Sequence, residues 1–190
     1  RRSEKTTTTA PATDAARPRM DGDSMKYRMK QDWISLGDDF TITDERGNVA
    51  AKVDGHVFSI GNKLTFLDAS GREIGRISQQ LLSLRPAYEI TRNGQVLAVV
   101  KKDFFNLFRC SFTVDVPGPD DLEAQGNLLD HDYEFRRHGQ TVARVSKAWF
   151  SFTDSYCIDV AHDEDPFLIV ASAVVIDLCC HAEHEKKSAD

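Results

Sequence analysis

Three groups of side chains in this sequence have the types that do chemistry. The stretch Asp177-Leu178-Cys179-Cys180-His181, followed by His184, brings a carboxylate, two thiols and imidazoles together, the donor set of a zinc or other soft-metal site. The spacing works against that use. Adjacent cysteines on a helix point about 100° apart, and no second ligand pair recurs at a matching distance. Cys179 and Cys180 are instead expected to pack as small hydrophobes. Asp177 ends an apolar run, so it is expected near a helix end, accepting hydrogen bonds from a loop or pairing with an arginine. The acidic clusters Asp120-Asp121 and His162-Asp163-Glu164-Asp165 could hold calcium weakly, but they lack the alternating ligand order of a calcium loop and read as solvated charge. Lys101, Lys102 and Lys147, with Arg109 and Arg144 nearby, form the most concentrated basic set, interleaved with Phe104, Phe105, Phe108, Trp149, Phe150 and Phe152. Basic plus aromatic is the texture of a surface that touches anionic headgroups. It is equally the texture of strands with lysines outside and aromatics inside.

The signatures of catalysis are missing. The sequence has no His-Glu-x-x-His, serine nucleophile elbow, P-loop or glycine-rich dinucleotide turn. Its six histidines fall mostly at expected turns and ends. The reading is a non-catalytic chain with no cofactor and no metal. The net charge of −6 argues against a nucleic-acid partner, because phosphate neutralisation supplies most of such affinity. The four cysteines form no Cys-x-x-Cys pair, and no apolar leader opens the chain, which together suggest a reducing, cytoplasmic setting. The longest apolar run, Phe167 to Ile176, falls well short of the roughly 18 residues of a membrane span.

The elements that must position these groups are strands and turns. Phe40-Thr41-Ile42, Leu64-Thr65-Phe66, Tyr88-Glu89-Ile90 and Tyr133-Glu134-Phe135 each lead into a glycine turn and a second alternating segment. Asn93-Gly94 is the clearest hairpin signal among them. The units form an internal repeat: Tyr88 to Lys102 spans the same distance as Tyr133 to Lys147, and Phe112 to Val116 matches Tyr156 to Val160 after a one-residue slip. Repeated meanders of short strands favour a barrel or sandwich. One segment breaks the rule. Asp165 and Pro166 suit the N-cap and first turn of a helix, and Phe167 to Ile176 is apolar on every face. Such a helix must be buried all round, with Phe167, Leu168, Val170, Ala171, Val174 and Val175 as its plug residues. A buried strand is the competing reading, since the run is rich in β-branched residues. Residues 1–24, with a threonine run and Pro11 and Pro18, read as a disordered tail, and 183–190 as a flexible one.

These motifs, in this order, resemble the LURP-one-related family, a branch of the tubby-C-terminal-like superfamily that also holds the phospholipid scramblases. The carrying residues are Phe40 to Gly47, Val100 to Phe105, Phe112 to Gly118, Val145-Ser146-Lys147 and Ala171 to His181, and the resemblance covers about 25–182. It implies a closed antiparallel β-barrel of about twelve strands around a central hydrophobic C-terminal helix. It also implies, at superfamily level, peripheral binding of anionic phospholipid or phosphoinositide. Lys101, Lys102, Arg109, Arg144 and Lys147 are the residues expected to carry it. The alternative is a protein-interaction or structural module with no lipid ligand.

Overall fold

The computed structural model describes residues 24–31, 39–55, 61, 63–103, 111–128, 130–147 and 155–188, with backbone alone for Gln31 and 181–188. The tail expected over residues 1–24 lies outside this range except for Ser24. Among the described residues the strands are β1 (Ser24–Gln31), β2 (Phe40–Asp44), β3 (Val49–Gly55), β4 (Lys63–Leu67), β5 (Glu73–Gln79) and β6 (Ala87–Arg92). They continue as β7 (Gln95–Lys102), β8 (Ser111–Asp115), β9 (Leu122–Asn127), β10 (Asp132–Arg137), β11 (Gln140–Lys147) and β12 (Ser155–Ala161). Each pairs antiparallel with its sequence neighbour, and β1 closes the ring by pairing with both β2 and β12. The helix α1 (Pro166–Ser188) follows.

The repeat seen in the sequence is a repeat of one hairpin. In β2–β3, β4–β5, β6–β7 and β10–β11 the register shifts at the same place, just after Ile42, Phe66, Ile90 and Phe135. In each, that large inward residue faces a small one: Ala51, Gly75, Ala98 or Ala143. A bulge bends its strand and increases the local twist, and the small residue opens space inside the bend. The turns use two chemistries. Asp44 and Asp68 each accept backbone hydrogen bonds from residues two and four further on, at 2.8–3.0 Å. The other two are two-residue turns in which both central residues have positive φ, Asn93-Gly94 (53° and 75°) and His138-Gly139 (50° and 77°).

Twelve strands about 4.8 Å apart, tilted by about 40°, close at a radius of about 12 Å. That bore is too wide for strand side chains alone and suits one helix about 10 Å across. α1 fills it. Ile169, Ala171, Ala173, Val174 and Val175 are fully buried, and Leu168 and Val170 nearly so, within one core shared with the inward residues of the strands. Phe167 is partly buried and packs against that core. Helix is therefore correct for this stretch and buried strand is not.

The helix entry is locked from several sides. The Asp165 side chain accepts from the Phe167 backbone N–H at 3.0 Å, as an N-cap does, and takes Arg92 at 2.6 and 3.2 Å. Arg137, at the position equivalent to Arg92, holds Glu164 at 3.0 and 2.9 Å. Phe167 packs edge-on to Phe66 at 5.2 Å, under the Arg92 guanidinium at 5.3 Å. Gly75 completes this slot: a Cβ there would stand 2.2 Å from Phe167 Cζ and 2.8 Å from the Thr91 carbonyl oxygen. Gly75→Ala is expected to cost about 1–3 kcal/mol by overpacking, read as a lower urea midpoint. Phe167→Leu in the same chain should restore part of the loss, because the Thr91 contact is backbone and cannot move away. Unaltered unfolding of Gly75→Ala would show that the slot is loose.

Candidate functional site

The barrel has two unlike ends. The tight hairpin turns and the start of α1 lie at one, the hairpin end. At the other, the mouth, strands β1, β3, β5, β7, β9 and β11 end and α1 runs outward. Lys102 and Lys147 hold equivalent positions, each ending its strand at the mouth rim on the inward-facing alternation. They are not adjacent. Strands β8, β9 and β10 stand between β7 and β11, a separation of about 19 Å around the wall. Lys101 lies on the outer face, ion-paired with Asp115. Arg144 is also outside, bonded to Glu134 at 2.9 Å, and Glu134 takes Arg136 and Thr141 as well. Lys147 is exposed. Arg109 and the aromatics Phe104, Phe105, Phe108, Trp149, Phe150 and Phe152 lie outside the described residues. The described part of the basic set is thus spread over two sectors of the wall.

A second cluster sits inside the mouth, and it joins residues far apart in sequence. Asp177 is nearly fully buried on α1, and His131, in the β9–β10 turn, places Nε2 2.7 Å from its Oδ1. His131 adopts a positive φ of 52° and stacks on Tyr156 at 4.4 Å and 19°. Of the two partners expected for Asp177, a loop group and an arginine, the loop one holds, as His131; Asp177 is not near the helix end expected for it but in the middle of α1, which runs on to Ser188. Cys179 and Cys180 are buried, as expected of small hydrophobes. The Tyr156 hydroxyl is buried with no hydrogen-bond partner among the described residues. Burial holds the phenols of Tyr133 and Tyr156 well above the ordinary tyrosine value, and the nearby Asp177 charge adds to the effect.

That cluster makes the domain alkali-sensitive. In the unfolded chain both tyrosines titrate near pH 10. Above that pH the unfolded state sheds protons that the folded state keeps. Stability is therefore intact below about pH 10 and falls by about 1.4 kcal/mol per pH unit for each tyrosine as the pH rises further. Urea midpoints measured across that range are expected to show the fall, and Tyr156→Phe should make it shallower by about 1.4 kcal/mol per pH unit. A stability that stays flat through this range would contradict the burial of both phenols.

The acidic clusters are used as structure. Asp121 accepts the Val116 N–H at 3.0 Å, Asp120 accepts from Arg137 through its carbonyl and lies 3.0 Å from His138, and Glu164 and Asp165 hold the two arginines at the helix entry. Among the described residues no three His, Cys, Asp or Glu side chains are grouped to hold a metal ion. A cavity of about 320 Å³ opens at the hairpin end between Asp68, Arg72, Glu73, Ile74, Arg92 and Asn93, but its charges already bind one another, Arg72 to Asp68 and Arg92 to Asp165.

The family model described as LURP-one-related matches residues 25–177, from β1 to the buried carboxylate of α1. The chain belongs to the LURP-one-related family. Its sequence is 33% identical over 159 residues to the uncharacterized protein YxjI of Bacillus subtilis (strain 168), covering 83% of this chain and 95% of that one. Its fold is similar to the X-ray structure of a protein from Arabidopsis thaliana, with a TM-score of 0.61 at 19% identity, over 82% of this chain and 90% of that chain. The LURP-one-related match reaches Asp177 and includes His131, so the mouth cluster lies within the family region.

Proposed function

We propose that this LURP-one-related barrel is a non-catalytic binding domain that meets anionic phospholipid peripherally, at its mouth end, on the cytoplasmic face of a membrane. The observation that carries the reading is the charge difference between the two ends. The hairpin end collects Asp44, Glu45, Asp120, Asp121, Asp163 and Glu164, and its Arg72, Arg92 and Arg137 are tied to carboxylates of the same end. Among the described residues the mouth carries Lys30, Lys63, Arg85, Lys101, Lys102 and Lys147 against Asp39, Asp54, Asp103, Asp130 and Asp132, with Arg85 paired to Asp103 and Lys101 to Asp115. An anionic surface would attract the mouth and repel the opposite pole. The interior is filled by α1, so a ligand must meet the outside of the barrel. Among the described residues no helix is long and apolar enough to cross a membrane, which fits a peripheral mode. The free thiol of Cys157 fits a reducing compartment.

Co-sedimentation with vesicles tests this. Pelleting is expected with phosphatidylserine- or phosphoinositide-containing vesicles at low salt. It should fade as salt screens the attraction, and it should be absent with phosphatidylcholine alone. Equal, negligible pelleting with every vesicle would remove the reading. The acidic hairpin end favours the second reading, a protein-interaction module, and a stoichiometric partner that is lost when Asp120 and Asp121 are changed to asparagine would support it.

A further inference from the structure

The connection between β5 and β6 reads Gln80-Leu81-Leu82-Ser83-Leu84-Arg85-Pro86 and sits at the mouth. Leu82 and Leu84 are fully exposed, at 101% and 99%, and Leu81 is 57% exposed. Three leucines out in water within four residues are unusual on a soluble surface, where large apolar side chains occur singly. The connection is nonetheless held in a defined shape. Gln80 N–H donates to the Ala87 carbonyl at 2.8 Å, Ser83 N–H turns back to Gln80 at 3.3 Å, and Lys102 N–H donates to Pro86 at 3.1 Å. Arg85 reaches Asp103 at 3.6 Å. The turn at Gln80–Ser83 puts Leu81 and Leu82 at its apex, so the leucines project from a braced base.

Cations flank that base on both sides. Lys63 heads β4, paired with Ser78 of β5 on one side, and Lys101 sits opposite Ala87 of β6 on the other, with Lys102 next along. Arg85 lies within the connection itself. We propose that Leu81, Leu82 and Leu84 insert into the headgroup–acyl boundary of an anionic bilayer, while Lys63, Arg85, Lys101 and Lys102 lie at headgroup level. The shape selects the bilayer over a protein surface. Leu81 rests beside Gly61 of the next connection, but Leu82 and Leu84 are fully exposed, so a protein partner would need pockets matched to each, whereas a bilayer receives apolar projections without a preformed pocket. Apolar side chains inserted below a basic collar are how interfacial elements bind anionic membranes. The acidic hairpin end lies at the opposite pole, turned away from the lipid.

This inference rests on the lipid-binding reading above, and the test separates the two. Wild type and Leu82→Ser/Leu84→Ser are sedimented with phosphatidylcholine vesicles containing or lacking phosphatidylserine. Both positions are exposed, so melting should be unchanged. Partitioning onto anionic vesicles is expected to weaken about tenfold per leucine, on the order of 100-fold for the pair. The emission of Leu82→Trp, less that of wild type with its own Trp33 and Trp149, is expected to shift to the blue on those vesicles as the new indole leaves water. Equal pelleting of wild type and double variant, with no emission shift, would overturn insertion and leave surface adsorption by the lysines standing. Wild type that pellets with neither vesicle would overturn both. If it then self-associates and the double variant does not, the leucines are a contact between copies of this chain.

Discussion

Val174→Asp is expected to leave no folded domain. Val174 is fully buried in the middle of α1, inside a core to which β6, β7 and β12 contribute. The new carboxylate would have no water and would sit one turn from Asp177, whose own charge opposes it. An unpaired carboxylate in such a place costs several kcal/mol, comparable to the whole stability of a typical domain, about 5–15 kcal/mol. The loss has no local remedy, because the helix is the filling of a closed wall: twelve strands cannot collapse onto the space it vacates. Circular dichroism should show an unfolded chain, and expression should move to the insoluble fraction. Val96→Asp is the matched control. Val96 is on β7 but 45% exposed, and a charge there should change stability by no more than about 0.5 kcal/mol. A soluble Val174→Asp protein that melts like wild type would mean that α1 is not the centre of the core.

Much of this architecture was legible because hairpins are local. The repeated pattern of alternation, glycine turn and alternation marked eight of the strands in four pairs, and those pairs are the ones that share a bulge and a small inward residue. The helix was legible from its cap, and Asp165 does the capping. Two strands were not legible. β9, Leu122–Asn127, buries only Leu122 and Ala124 and is otherwise Glu, Gln, Gly and Asn, residues with weak strand preference. β1 alternates Met25, Tyr27 and Met29 but falls outside the repeated unit; one partner is its neighbour β2, and the other, β12, meets it only when the ring closes. Strand number and closure therefore came from family resemblance and not from pattern. The site was less legible still. Composition shows that lysines are present, but only register shows that Lys102 and Lys147 lie in different sectors. The run Leu81-Leu82-Ser83-Leu84 has the composition of a core segment, and its exposure appears only once the walls are assembled. Asp177 announced that it needed a partner, as any carboxylate ending an apolar run does. That the partner is His131 depends on the helix threading the barrel, since the two are 46 residues apart in the chain.

Removing that partner is the second large effect. His131→Ala is expected to destabilise the domain by about 1–3 kcal/mol, the usual cost of leaving a buried hydrogen-bonding group without its partner. The cost has two parts. Asp177, 4% exposed, loses the imidazole that lies 2.7 Å away, and Tyr156 loses the ring stacked on it. A smaller part is backbone: His131 holds a positive φ of 52°, which alanine tolerates poorly, at about 1 kcal/mol. His131→Asn separates the parts, because asparagine accepts that conformation but is too short to replace the imidazole, so it should recover only the backbone share. Asp177→Asn removes the charge that needs compensation. In a His131→Ala/Asp177→Asn chain the losses should therefore fall short of the sum of the singles by well over 0.5 kcal/mol, the limit within which independent sites add. Urea unfolding of the four proteins measures that coupling. If the two substitutions simply add, the histidine and the aspartate are neighbours without being partners, and the loop at the mouth is not fastened to the helix through them.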